Sequence, residues 1–140
     1  MCLLLRVRVP ASGRSNLKAA LRKVAPADMC VWFSPLLRWP WARGRDAELR
    51  VSERGGCACS LLSNDAGWDA ATWSMKPELL ERLARTLFTL AEHGPDGMVV
   101  EALWRGEKPE REEKVTARGL ADLARNSRLG THTRYVLFRE

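Results

Sequence analysis

The sequence lacks any long apolar run, because no stretch of it approaches the roughly 18 consecutive apolar residues of a transmembrane helix. It also lacks a recognisable secretory signal, since Arg6 and Arg8 interrupt the only apolar segment near its start. Hydrophobic residues make up 46% and charged residues 29% of the 140 residues, a balance that excludes a disordered chain. We therefore expect one globular domain over residues 1–140, no membrane, and a cytoplasmic location in which the four cysteines are free thiols.

Catalytic signatures are missing as well. The sequence contains no glycine-rich phosphate loop, no His-Glu-x-x-His metal motif and no Gly-x-Ser-x-Gly nucleophile turn. It has only two histidines, His93 and His132, and neither shows metal-ligand spacing with the cysteines. We therefore expect no metal and no cofactor, and we favour a function other than catalysis.

Acidic residues are scarce in the first third of the sequence. Residues 1–50 hold ten basic and three acidic residues, so their net charge is +7, whereas residues 51–140 have a net charge of −1. A one-sided basic balance is typical of a chain that meets an acidic protein, a nucleic acid or an anionic surface, although solvated surface charge is the simpler interpretation.

Hydrophobic periodicity predicts an α+β fold. We expect strands over 2–9, 29–34, 47–53, 57–62, 97–104 and 132–139, with Arg6 and Arg8 on one face of the first. We expect helices from an N-cap at Ser15 to Pro26, over 77–92, and from a cap at Thr116 to about 126. The order β-α-β-β-β-α-β-α-β predicts one open mixed or antiparallel sheet of five or six strands, with about three helices on one face, related to ferredoxin-like folds.

A basic aromatic loop over 35–46 is the strongest candidate for a recognition surface. It contains Arg38, Trp39, Trp41, Arg43 and Arg45 within eight residues. Tryptophan and arginine dominate the binding energy of protein interfaces, and they also stack on bases and contact phosphates. The alternative is that both tryptophans cover an open end of the core while the arginines are solvated.

A second loop, over 63–76, contains Trp68, Trp73, Asp65 and Asp69, which form a candidate pocket. Its acidic residues do not have the spacing of a calcium-binding loop. The structural alternative is that the tryptophans cover one end of the sheet.

Cys57 and Cys59 form a Cys-x-Cys pair that invites a thiol or metal interpretation. In a regular strand, residues two apart are separated by about 6.6–6.8 Å, which is too far for a disulfide or for a shared zinc ion. A bulge at the preceding Gly55-Gly56 turn would be needed to bring the sulfurs together. The more ordinary expectation is that both cysteines are buried core residues.

Three functions remain after these exclusions. The first is a non-enzymatic binding module, of an accessory, inhibitor or immunity type, that engages an acidic protein partner through the basic aromatic loop. The second is a small thiol- or metal-dependent enzyme that uses Cys57 and Cys59. The third is nucleic-acid binding through Arg38, Trp39, Trp41 and Arg43, assisted by Lys18 and Arg22 on the first helix.

Overall fold

The computed structural model of the chain describes residues 3–25, 30–33, 47–52, 77–104, 107–126, 128–130 and 132–139. Its strands are β1 (Leu3–Val9), β2 (Cys30–Phe33), β3 (Ala47–Ser52), β4 (Val99–Trp104), β5 (Arg111–Val115) and β6 (Thr133–Leu137). Its helices are α1 (Arg14–Leu21), α2 (Pro77–His93) and α3 (Ala117–Arg125), and a 3₁₀ turn, Ala11–Gly13, precedes α1. The α+β class is therefore confirmed.

One six-stranded sheet contains all of these strands in the order β2-β3-β1-β4-β6-β5. Neighbouring strands are antiparallel except β5 and β6, which are parallel, so the sheet is mixed. The central strand β1 lies between β3 and β4, which places the basic start of the chain in the middle of the sheet. This strand order does not confirm the expected relation to ferredoxin-like folds.

The core lies between one face of the sheet and the three helices. Alternation along β1 buries Leu5, Val7 and Val9 on that face, as the period of a strand requires. The helices contribute apolar stripes that are almost completely buried, which join the strand residues in one cluster. The largest helix residues in the cluster are Leu17, Leu83, Leu87, Leu90 and Leu120.

Two helices, α2 and α3, begin at the positions that the sequence predicts. Pro77 is the first residue of α2, a position where its missing N–H costs nothing. Thr116 caps α3, because its hydroxyl oxygen accepts a hydrogen bond of 3.0 Å from the Gly119 N–H. The exposed pair Glu81 and Arg125, with a hydrogen bond of 2.7 Å, joins α2 to α3 at the surface.

Two predictions about local structure are wrong. Ser15 does not cap α1, because the N-cap of this helix is Gly13. The Gly13 N–H donates to the Pro10 carbonyl, and the 3₁₀ turn that this bond closes continues directly into the helix. The charged segment before α3, in which the sequence predicts no strand, contains the edge strand β5, with Arg111 at its start. Four of its five residues are exposed, so no hydrophobic alternation marks it in the sequence. The expected strand over 57–62 lies outside the described residues.

Candidate functional site

A row of charged residues crosses the face of the sheet opposite the helices. The strand register places Arg6 of β1 beside Glu101 of β4, and Glu101 beside Arg134 of β6. Arg8 lies two residues along from Arg6 and therefore on the same face. Alternation explains the placement, because the neighbours of Arg6 and Arg8 in β1 are the buried core residues Leu5, Val7 and Val9.

Glu101 is the centre of this group. Its side chain is completely buried, and three guanidinium groups surround it. Arg134 donates from Nε and Nη2 to Oε2, both at 3.3 Å. Nη2 of Arg6 and Nη1 of Arg8 each lie 3.6 Å from Oε1, which is ion-pair distance but too long for a hydrogen bond. Three positive charges therefore surround the buried carboxylate of Glu101, and Arg134 also lies 3.9 Å from the exposed carboxylate of Glu112.

Hydrogen bonding within the group is incomplete. Glu101 Oε1 and Arg6 Nε are both buried and have no hydrogen-bond partner among the described residues. A buried charged atom without a hydrogen bond is costly, and such atoms in folded proteins call for a specific explanation such as a bound polar group. The arginines retain contact with solvent, since the side chains of Arg8 and Arg134 are 41% and 35% exposed.

A cavity of about 160 Å³ opens beside this group. Its charged walls are Arg8, Arg134 and Glu101, and the rest of its described lining is apolar or backbone, from Val9, Pro10, Gly97 and Val99. None of these residues is a nucleophile of the serine, cysteine or lysine kind. Among the described residues, the cavity is therefore equipped to bind a small anionic group rather than to attack one.

A larger cavity of about 830 Å³ lies where the end of α2, the start of α3 and the end of β6 meet. Phe88 and Phe138 supply its exposed apolar surface. Its charged residues have both signs, and Arg139 is already bonded, to Asp96 at 3.0 Å and to the Gly94 carbonyl at 2.6 Å. Because these charges partly pair with one another, this cavity shows no preference for one ligand charge.

His132 is held in place by structural contacts. Its φ of 63° lies in the left-handed region, and its Nδ1 is 2.9 Å from Oε2 of Glu107. Its N–H donates to the Ala102 carbonyl at 2.8 Å, and its carbonyl oxygen accepts from the Glu110 and Arg111 N–H groups at 2.7 and 3.2 Å. His132 thus joins β4 to the start of β5.

The Tyr135 hydroxyl is buried and accepts a hydrogen bond of 2.6 Å from the Gly130 N–H. Burial raises the pKa of this hydroxyl above its ordinary value, and the bond from Gly130 opposes the shift only in part. At the surface, the hydrogen bond between Arg125 and Glu81 lowers the pKa of Glu81 and raises the pKa of Arg125.

Most residues singled out in the sequence lie outside the described part of the chain. Lys18 and Arg22 are the exception, and both are exposed on or just after α1. The remainder stay predictions: Arg38, Trp39, Trp41, Arg43, Arg45, Cys57, Cys59, Asp65, Trp68, Asp69 and Trp73. Within the described ranges, no group of three or more histidine, cysteine or acidic residues is placed to hold a metal ion. The described helices also include none that is long and apolar enough to cross a membrane.

Sequence reasoning placed Arg6 and Arg8 on one face but missed Glu101. A signal was present: Glu101 is the only charged residue in the apolar strand β4. A lone carboxylate in a strand of this kind indicates a paired buried charge. Its partners were not deducible, because Arg6 and Arg134 are distant from it in the chain.

Comparisons of the chain with protein-family models, with curated proteins and with solved structures found no match.

Proposed function

We propose that this chain is a small non-enzymatic binding module, located in the cytoplasm, that engages an acidic protein partner. The observation that carries the proposal is the arrangement of Arg6, Arg8 and Arg134 around Glu101. The three guanidinium groups contact two carboxylates, Glu101 and Glu112, which leaves one positive charge in excess. Two of the three keep more than a third of their side chains exposed. A surface of this kind attracts a partner with an acidic face.

The placement of the arginines supports binding rather than simple solubility. Arginine presents a rigid fork of donors that suits carboxylates, and a fixed arginine loses little freedom on binding. Glu101 holds these arginines in place, because its buried carboxylate attracts all three guanidinium groups. The basic aromatic loop with Arg38, Trp39, Trp41, Arg43 and Arg45 is proposed as a second part of the same interface. In the chain, that loop connects β2 to β3.

A binding assay with model ligands tests the proposal. Fluorescence anisotropy is measured with labelled hexaglutamate, with hexaglutamine as the uncharged control, and with a single-stranded oligonucleotide of equal charge. We expect hexaglutamate to bind at about 0.01 M salt and to weaken at about 0.15 M salt, because screening shortens the reach of exposed charges. Absence of hexaglutamate binding at low salt refutes the proposal, and tighter binding of the oligonucleotide favours a nucleic-acid partner instead.

The contribution of the loop is tested separately by the double variant Trp39→Ala/Trp41→Ala. We expect this variant to unfold at the same urea concentration as the parent but to bind hexaglutamate more weakly. Unchanged affinity removes the loop from the interface and leaves the sheet face as the binding surface.

A further inference from the structure

We infer that the cavity between Arg8 and Arg134 is a carboxylate site that takes one acidic side chain of the partner, an inference that rests on the proposed function. Both arginines line this cavity of about 160 Å³, and both side chains are partly exposed. It has room for a small group, since a water molecule takes about 30 Å³ in the liquid. The group that binds to this face of the sheet is therefore a carboxylate.

The hydrogen-bond donors that such a site needs are unused in the structure. Arg8 makes no hydrogen bond with any described residue, and its described ion pair is the one with Glu101 at 3.6 Å. Arg134 donates from Nε and Nη2 to Glu101, while its Nη1 is 3.9 Å from Glu112. A guanidinium has five N–H donors, so both arginines can donate to a ligand without releasing Glu101.

Other carboxylates of this chain compete only weakly with a ligand for Arg8 and Arg134. Glu112 is 59% exposed and beyond hydrogen-bond distance of Arg134, and an ion pair at such an exposed position stabilises little. The register also places Glu48 of β3 opposite Arg8, and Glu48 has an interaction partner of its own within the chain. Glu101 itself is completely buried and acts as a positioning residue that holds the arginines beside the cavity.

The remaining walls favour a carboxylate carried on a hydrocarbon stem. Pro10 and Val99 supply apolar surface, against which the methylene groups of a glutamate side chain can pack. Gly97 completes the rim with a φ of 78°, and a Cβ at this position would come within 3.1 Å of Cγ of Pro10. A bare phosphate would gain the charge interaction but would leave this apolar wall unused.

Nuclear magnetic resonance of the arginine Nε–Hε groups locates the ligand directly. The probe is N-acetylglutamate amide, the uncharged control is N-acetylglutamine amide, and inorganic phosphate is a third arm. We expect saturable shifts at Arg8 and Arg134 with the glutamate probe and none with the glutamine probe. Equal shifts with both amides overturn the inference. Saturation by phosphate at lower concentration also overturns it, in favour of a phosphate site.

The variant Arg8→Gln measures what the site contributes to affinity. Arg8 is 41% exposed and makes no hydrogen bond to a described residue, so the variant should fold normally, which urea unfolding verifies. We expect it to weaken hexaglutamate binding about tenfold, as the loss of one charge-assisted contact implies. Arg8→Lys keeps the charge without the fork and should fall between Arg8→Gln and the parent protein. The matched control is Arg128→Gln, an exposed arginine outside the cavity lining, which should change affinity less than about twofold.

The two proposals fail in different ways. If hexaglutamate binds the parent protein and Arg8→Gln binds it equally well, the carboxylate site is refuted while the proposed function stands. If hexaglutamate does not bind the parent protein at all, the proposed function fails and the site fails with it.

Discussion

Replacing Glu101 by glutamine removes one negative charge from the centre of the sheet while keeping the shape of the side chain. The carboxylate lies 3.3–3.6 Å from three guanidinium groups. Each such pair attracts by about 4 kcal/mol at an effective dielectric constant of about 20. This gross attraction is opposed by the desolvation of a buried carboxylate, which costs several kcal/mol.

Two structural features indicate that Glu101→Gln lowers the free energy of unfolding only by an amount near the lower end of the range for hydrogen bonds to charged groups. The contacts from Arg134 are long at 3.3 Å, and those from Arg6 and Arg8 are not hydrogen bonds at all. The arginines are 23–41% exposed, so water can partly solvate them after the charge is lost. We therefore expect Glu101→Gln to lower the free energy of unfolding by about 2 kcal/mol at neutral pH.

Urea unfolding of the parent and variant proteins, with equal slopes in both, gives this difference. The matched control is Glu112→Gln, which removes the same charge from the same row at a position that is 59% exposed. It should change the free energy of unfolding by less than about 0.5 kcal/mol. About 1 M salt should shrink the effect of Glu101→Gln, because the unbalanced arginines repel one another less when screened. A Glu101→Gln protein as stable as the parent, or more stable, would refute the view that this carboxylate holds the arginines together.

The remaining predictions concern the core, the buried tyrosine and the surface ion pair. Leu87→Ala should lower the free energy of unfolding by about 2–5 kcal/mol, because it opens a cavity in the core, whereas Phe88→Ala at the exposed neighbouring position should cost less than about 1 kcal/mol. Equal losses in urea unfolding would contradict this placement of α2. Tyr135→Phe should cost about 1–2 kcal/mol, because a buried backbone N–H loses its acceptor. Since burial raises the pKa of Tyr135, the unfolded chain loses the proton first, and stability should fall as pH rises from about 10 through the folded pKa. Tyr135 is the only tyrosine, so ultraviolet titration reports it directly, and ionisation of the folded protein at or below the ordinary tyrosine pKa would be inconsistent with burial. Because Arg125 lowers the pKa of Glu81 in the folded protein, this pair contributes stability that is lost as pH falls below the ordinary pKa of Glu81. Arg125→Gln removes the partner, so the variant should lose less stability over this pH range. If the acid limb of stability is identical in the two proteins, the ion pair contributes nothing.

The sequence by itself determined the elements whose signals are local. Apolar periodicity and end residues located α2 and α3, because Pro77 and the Thr116 hydroxyl act on backbone groups within one helical turn. Alternation located β1, because every second residue from Leu5 to Val9 faces the core. The same alternation put Arg6 and Arg8 together on the other face, which is half of the candidate site.

Only the tertiary structure decided the other half of the candidate site, which consists of Glu101 and Arg134. Glu101 meets Arg6 and Arg134 because β4 pairs with both β1 and β6, and the order of strands in a sheet is set by long-range packing. The edge strand β5 was invisible for the same reason: its exposed charged residues carry no periodicity, and its backbone pairing with β6 defines it. Local patterns specify which face of a strand a side chain occupies, whereas its neighbours across the sheet come from pairing between segments far apart in the chain.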